Sequence, residues 1–142
     1  MPVSLSREEA YEYLNSRPGF MTVTTIDRRG YPHSVPIGYS VVGDDIYLAG
    51  RETSQRLKNV RRNPKMSVMI DSGSGMSDIK GLIVQGDAEV VDDPATCLDL
   101  LRDSMRRRGT AEDQLPKEPR PGIAYIRLRP RKFISWDYSR QA

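Results

Sequence analysis

Residues 51 to 64, RETSQRLKNVRRNP, gather Arg51, Arg56, Lys58, Arg61 and Arg62 around a hydroxyl and an amide, Ser54 and Gln55. Leu57 and Val60, three positions apart, give the stretch one apolar face of a helix, and Thr53 and Ser54 stand where helices begin. A helix start leaves its first amide N–H groups without carbonyl partners and carries a partial positive charge. That is oxyanion chemistry, phosphate above all. Arg56 could fork onto two phosphate oxygens, the Ser54 hydroxyl could donate a further bond, and Arg51 flanks the turn. The alternative is a solvated amphipathic helix with Leu57 and Val60 inward, which composition alone favours; entry straight from the strand-like run DDIYLAG shifts the balance towards a site.

Other chemistries lack their residues. His33 is the only histidine and Cys97 the only cysteine, so the usual nitrogen and sulfur metal sites cannot be assembled and no metal is expected. The GSG at 73 to 75 lacks the rest of a dinucleotide fingerprint, and no P-loop is present. His33 follows Pro32 in a strand pattern with no nucleophile elbow nearby, so it reads as a strand histidine at the surface or a dimer edge. Cys97 shares a helical stripe with Leu98, Leu101 and Met105 and reads as core. No side chain is assigned as catalytic.

The elements that must position the basic turn follow from pattern. Ser6 and Glu9 form a capping box ahead of a short helix that stops at Pro18-Gly19. FMTVTTI, HSVPIGYSVV and DDIYLAG read as three antiparallel strands separated by the turns DRRGYP and GDD. After the basic helix come KMSVMID and IKGLIVQGDAEVV, then a helix begun by Asp93 and Pro94 and ended by Gly109. The loop GTAEDQLPKEPRPG leads to two last runs, IAYIRLRP and KFISWDY. Six or seven strands with three inserted helices, never in strict βαβ alternation, predict a mainly β, Greek-key barrel.

The 142 residues fit one domain over 1–142, long enough to bury roughly 68 to 70% of the unfolded surface. With 22 basic and 19 acidic residues, net charge alone says little about partners. No signal peptide and no run of about 20 apolar residues is seen, so a cytoplasmic protein with no membrane contact is expected. Aromatics do not interleave with the basic clusters, which argues against nucleic acid.

FMTVTTIDRRGYPHSVPIGY, IYLAGRETSQRLKNVRRNPKMSVMID, IKGLIVQGDAEVVDDP and RPRKFISWD, in that order, resemble the flavin and deazaflavin oxidoreductases related to pyridoxamine 5'-phosphate oxidase, over about residues 20 to 138. The resemblance implies an FMN-binding split β-barrel, a homodimer, and a cofactor held between subunits with its phosphate at the basic turn. Carried over on that basis are Arg51, Ser54, Gln55, Arg56 and Asn59 for the phosphate, main-chain groups near Val35 and Pro36 for the ring's polar edge, and Trp136 supplied by the partner subunit. Where the family often has lysine this chain has Arg56, which binds phosphate with different geometry. TSQRLKNVRRNP and the closing SWD are most similar to the compact branch that uses coenzyme F420, implying hydride transfer to a small conjugated organic substrate. The runners-up are an FMN-dependent oxidase or reductase and a nonenzymatic module binding flavin, F420 or haem. F420 carries a glutamate tail beyond its phosphate, for which Arg61, Arg62, Lys65, Arg127, Arg129 and Arg131 are candidates, although each taken singly reads first as part of a solvated face.

Overall fold

The capping box closes as its residues require: the Ser6 amide donates to Glu9 Oε1 at 2.9 Å and the Glu9 amide donates to Ser6 Oγ at 3.1 Å. Helix α1 follows over Arg7–Ser16 and buries Ala10, Tyr13 and Leu14. The computed structural model describes residues 3–16 and 19–140, so the predicted stop at Pro18 lies outside the described residues. Gly19, next in line, takes a φ of 128° that other residues rarely adopt.

Alternating apolar residues then build one antiparallel sheet of seven strands: β1 (Phe20–Ile26), β2 (Pro32–Gly38), β3 (Ser40–Val42), β4 (Asp45–Arg51), β5 (Lys65–Ser72), β6 (Lys80–Val91) and β7 (Ile123–Asp137). Their order is β2-β1-β5-β6-β7-β4-β3. The sheet curls into a half-barrel, mainly β as expected. Its concave side packs Met21, Val23, Ile46, Leu48, Val68, Leu82, Val84, Ile126 and Leu128, each at most 1% exposed. Strand β2 comes alongside β4 without joining it in a ladder, which leaves a split between them.

Two strand expectations need correction. HSVPIGYSVV is two strands, because the chain breaks at Tyr39, whose hydroxyl donates to the Leu14 carbonyl at 2.7 Å. The last two runs, conversely, are one strand of 15 residues. Pro130 would ordinarily interrupt a ladder, but here it pairs with Gly86 where the register shifts between Gln85 and Gly86, and the bulge absorbs the missing donor.

Helix α2 (Gln55–Arg62) leaves the end of β4 and lays Leu57 and Val60 on the core. Helix α3 (Pro94–Arg107) starts as predicted, with Asp93 Oδ2 accepting from the Thr96 amide at 3.0 Å. Its buried stripe is Cys97, Leu100 and Leu101; Leu98 and Met105 are only half-buried. The difference is a small rotation of the helix, which brings Cys97 and Leu100 against Tyr125.

The convex face of the sheet is apolar in one region. Thr22, Met69, Ile83 and Ile134 are cross-strand neighbours. Phe20, 73% exposed, and Trp136 lie two residues further along their strands.

Candidate anion and cofactor site

Ser54 occupies the N-cap of α2 with extended backbone angles, φ −68° and ψ 150°, yet its side chain makes no cap hydrogen bond. A serine here ordinarily accepts from an amide of the first turn. Instead its Oγ is buried and has no partner. The turn itself is held by main chain: the Ser54 amide donates to the Arg51 carbonyl at 2.9 Å and the Lys58 amide to the Ser54 carbonyl at 3.2 Å.

Arg56 folds back from the first turn over β4, and its Nη2 donates to the Ala49 carbonyl at 3.0 Å. Room for this exists because residue 50 is glycine: a Cβ there would fall 2.6 Å from Arg56 Nη2 and 2.8 Å from Leu57 Cδ1. Burial pushes the guanidinium below its ordinary pKa, which leaves it charged at neutral pH. Its Nε is buried without a partner. Two unused donors, one hydroxyl and one cationic N–H, thus sit two residues apart at a helix start. Buried polar groups are almost always bonded, and an oxyanion supplies the acceptors that both donors lack.

Behind this pair stands a polar chain that runs inward from the exposed Gln55 to two fully buried side chains. Gln55 Nε2 donates to Asn59 Oδ1 at 2.8 Å, and Asn59 Nδ2 donates to Thr25 Oγ1 at 3.0 Å. Asn59 and Thr25 are both 0% exposed. Both ends of the Asn59 amide are therefore engaged by protein, and this residue holds α2 on β1. His33, cross-strand from Thr25, is half-buried rather than on the surface, and its Nδ1 is a third buried atom without a partner.

Across the split, β2 is an edge of the sheet. Val35 turns inward against the core, Pro36 outward, and the strand's second edge has no ladder partner. Main-chain groups near both residues are therefore available to a ligand, while the proline removes one N–H.

Beyond the turn, Gln55, Lys58, Arg61 and Arg62 of α2 and Arg28 of the β1–β2 turn line an open cleft of about 530 Å³. Arg61 pairs with Asp92 at 3.3 Å and Arg62 donates to the Ile26 carbonyl at 2.5 Å. Arg28 and Lys58 make no ion pair or side-chain hydrogen bond among the described residues. The other cations considered for an anionic tail are committed elsewhere. Lys65 and Arg131 both hold Asp87 at 2.9 Å. Arg129 pairs with Glu89 at 3.2 Å, and Arg127 bonds Asp45 at 2.7 Å. These three arginines and Lys65 form a cross-strand ion-pair ladder, so the free charge lies at Arg28 and Lys58. Lys58 was visible in the basic segment; Arg28 gave no signal beyond being a turn residue.

Trp136 is not near the turn within one chain. Arg51 pairs with Ile123 at the start of β7, whereas Trp136 pairs with Gly81 near its end. Gly50 and Gly81 make room for Arg56 and Trp136 respectively, and neither glycine was singled out by the sequence motifs.

A family model described as pyridoxamine 5'-phosphate oxidase matches residues 7–137. No curated protein matches the sequence. Among solved structures, the conserved hypothetical protein Rv2991 from Mycobacterium tuberculosis superposes with a TM-score of 0.84 at 23% identity, covering 96% of this chain and 88% of that one. An F420 reductase aligns with a TM-score of 0.65 at 22% identity, over 87% and 94% of the two chains. The haem storage protein HutZ from Vibrio cholerae aligns at 0.72 and 16% identity, over 93% and 96%. At these identities the likenesses concern the fold.

Proposed function

This chain belongs to the pyridoxamine 5'-phosphate oxidase family, and from that premise we propose that it is an F420-dependent oxidoreductase acting as a homodimer on a small conjugated organic substrate. The observation that carries the reading is the pair of buried donors without acceptors, Ser54 Oγ and Arg56 Nε, at a helix start suited to phosphate. Arg51 adds charge beside them. Gln55 and Asn59 keep the turn in place from behind, and the open edge of β2 near Val35 and Pro36 offers main-chain groups to a planar ring.

Reduced F420 supplies a hydride from its ring carbon C5 when bound. The protein's part is then to bind the phosphate, fix the ring's orientation and keep water from the reacting face. Such a role needs no covalent nucleophile. F420 is favoured over FMN by the open cleft beyond the phosphate turn: Arg28 and Lys58 are free to meet carboxylates that FMN does not possess. FMN remains the runner-up, because the phosphate turn would serve either.

The length of β7 supports the dimer in this reading. Trp136 can cover a ring held at the Ser54 turn only if it comes from a second chain, and the apolar convex face through Phe20, Met69, Ile83 and Ile134 gives that chain a surface to cover. Sedimentation at cofactor-binding concentrations should find a dimer; a monomer there refutes a shared site. The reading as a whole is tested by titrating the protein separately with F420 and FMN, then offering reduced F420 with a panel of conjugated acceptors. Tighter binding of F420 and oxidation of its reduced form in the presence of an acceptor are expected. Preference for FMN moves the assignment to the runner-up, and binding of neither removes it.

A further inference from the structure

Glycine inside a β-strand is unfavourable, since it adds backbone freedom and packs no side chain. Gly81 stands well inside the β6–β7 ladder, opposite Trp136. A Cβ at this position would lie 2.2 Å from Trp136 Cζ2, 2.4 Å from Cε2 and 2.9 Å from Nε1. No real Cβ approaches other atoms so closely, so the indole lies flat in the notch that the absent side chain leaves, and it covers Gly81 from solvent. Any larger residue at 81 must lift the ring off the sheet.

The backbone on both sides of Trp136 is fastened as well. The Leu5 amide donates to Ser135 Oγ at 2.7 Å, and the Asp137 amide donates to the Val3 carbonyl at 2.8 Å. Arg140 then ties Asp137 to Glu9 of α1. An indole with a fixed floor and fixed shoulders loses little freedom when a second flat ring lies against it.

We infer that Gly81 is a positioning residue: the notch it leaves seats Trp136 as a preformed platform for the planar ring of a cofactor whose phosphate is held by the other subunit. The inference rests on the dimeric cofactor site proposed above. A purely structural account also exists, in which the indole merely shields a strand glycine. The two accounts differ in what a ligand feels.

Trp136 is the only tryptophan, so intrinsic fluorescence reports on this position alone. Three variants of the full chain serve: Gly81→Ala, Trp136→Leu and the double substitution. Gly81→Ala should shift the emission to the red and increase quenching by acrylamide, as the indole leaves its notch. Its affinity for both FMN and F420 should fall by about three- to tenfold, the worth of one aromatic stacking contact, while its affinity for inorganic pyrophosphate stays the same. Trp136→Leu, which leaves the glycine and its fold contacts in place, should lose the same factor, and the double variant no more than either alone. Binding of either cofactor should quench the wild-type emission.

A red-shifted Gly81→Ala protein with wild-type affinity for both cofactors overturns the inference and leaves the notch a structural device. So does an unmoved emission spectrum in that variant. Wild-type protein that binds pyrophosphate but neither cofactor brings down the parent reading and the platform together; equal cofactor binding by wild type and all variants brings down the platform alone.

Discussion

Replacing Ser54 by alanine should separate stability from binding, with a sign that ordinary helix capping does not give. Loss of an N-cap serine typically costs about 0.5–2 kcal/mol, because an amide of the first turn loses its acceptor. Here the hydroxyl caps nothing and is buried without a partner. Removing it deletes no protein hydrogen bond and relieves an unsatisfied group, for which the expected change lies between zero and a gain of about 1 kcal/mol. With phosphate bound, the same hydroxyl becomes a donor to a charged acceptor, a bond worth about 1.5–3 kcal/mol, so affinity for FMN or F420 should drop by about ten- to a hundredfold. Urea unfolding with and without saturating cofactor measures both quantities, since a ligand that binds only the folded form adds its binding energy to stability. In the absence of ligand the two proteins should unfold at the same or a slightly higher urea concentration for Ser54→Ala; in its presence the variant should fall clearly behind. A variant destabilised by a full cap and unchanged in affinity refutes the reasoning.

Three further outcomes are expected. Asn59→Ala leaves the buried Thr25 hydroxyl and the Gln55 amide without their partner, and should cost about 1–3 kcal/mol of stability by urea unfolding. Glu9 is held down to a pKa of about 2, first by its hydrogen bond with Arg140 and then by the Ser6 amide; a depressed carboxylate stabilises fully above its unfolded value near 4.5 and loses that contribution as pH falls towards 2, so the stability gap between wild type and Glu9→Gln should be constant from pH 7 to 5 and close below it. Lys58→Ala should weaken F420 more than FMN, and more than Arg61→Ala does, because Arg61 is already paired with Asp92; titrations at rising salt should shrink the difference.

What the sequence revealed and what it concealed divide by range. Features decided within a few residues were legible: the capping box at Ser6 and Glu9, the Asp93 N-cap, and the basic helix start at Ser54. Their bonds are local, so residue type and spacing suffice to specify them. The join of IAYIRLRP to KFISWDY was hidden by Pro130, which reads as a strand breaker until Gly86 is seen opposite it. Arg127, Arg129 and Arg131 looked like free charge because Asp45, Asp87 and Glu89 lie some 40 to 80 positions away in sequence. Asn59 carried the pattern of a ligand contact but is pinned from β1 by a residue 34 positions earlier. In each case the deciding partner arrives through the sheet, and periodicity along one strand holds no information about it.

The length of β7 also fixes how its two ends stand to one another. From Ile123 beside the phosphate turn to Trp136 is thirteen residues, at most about 44 Å of strand. In a two-fold dimer each β7 would run from one pocket to the other like a beam, with one end serving its own chain's cofactor and the other end its partner's. No loop movement can change the spacing of those two ends while the twelve-pair ladder holds. A substitution that bends one β7 would then disturb both pockets at once.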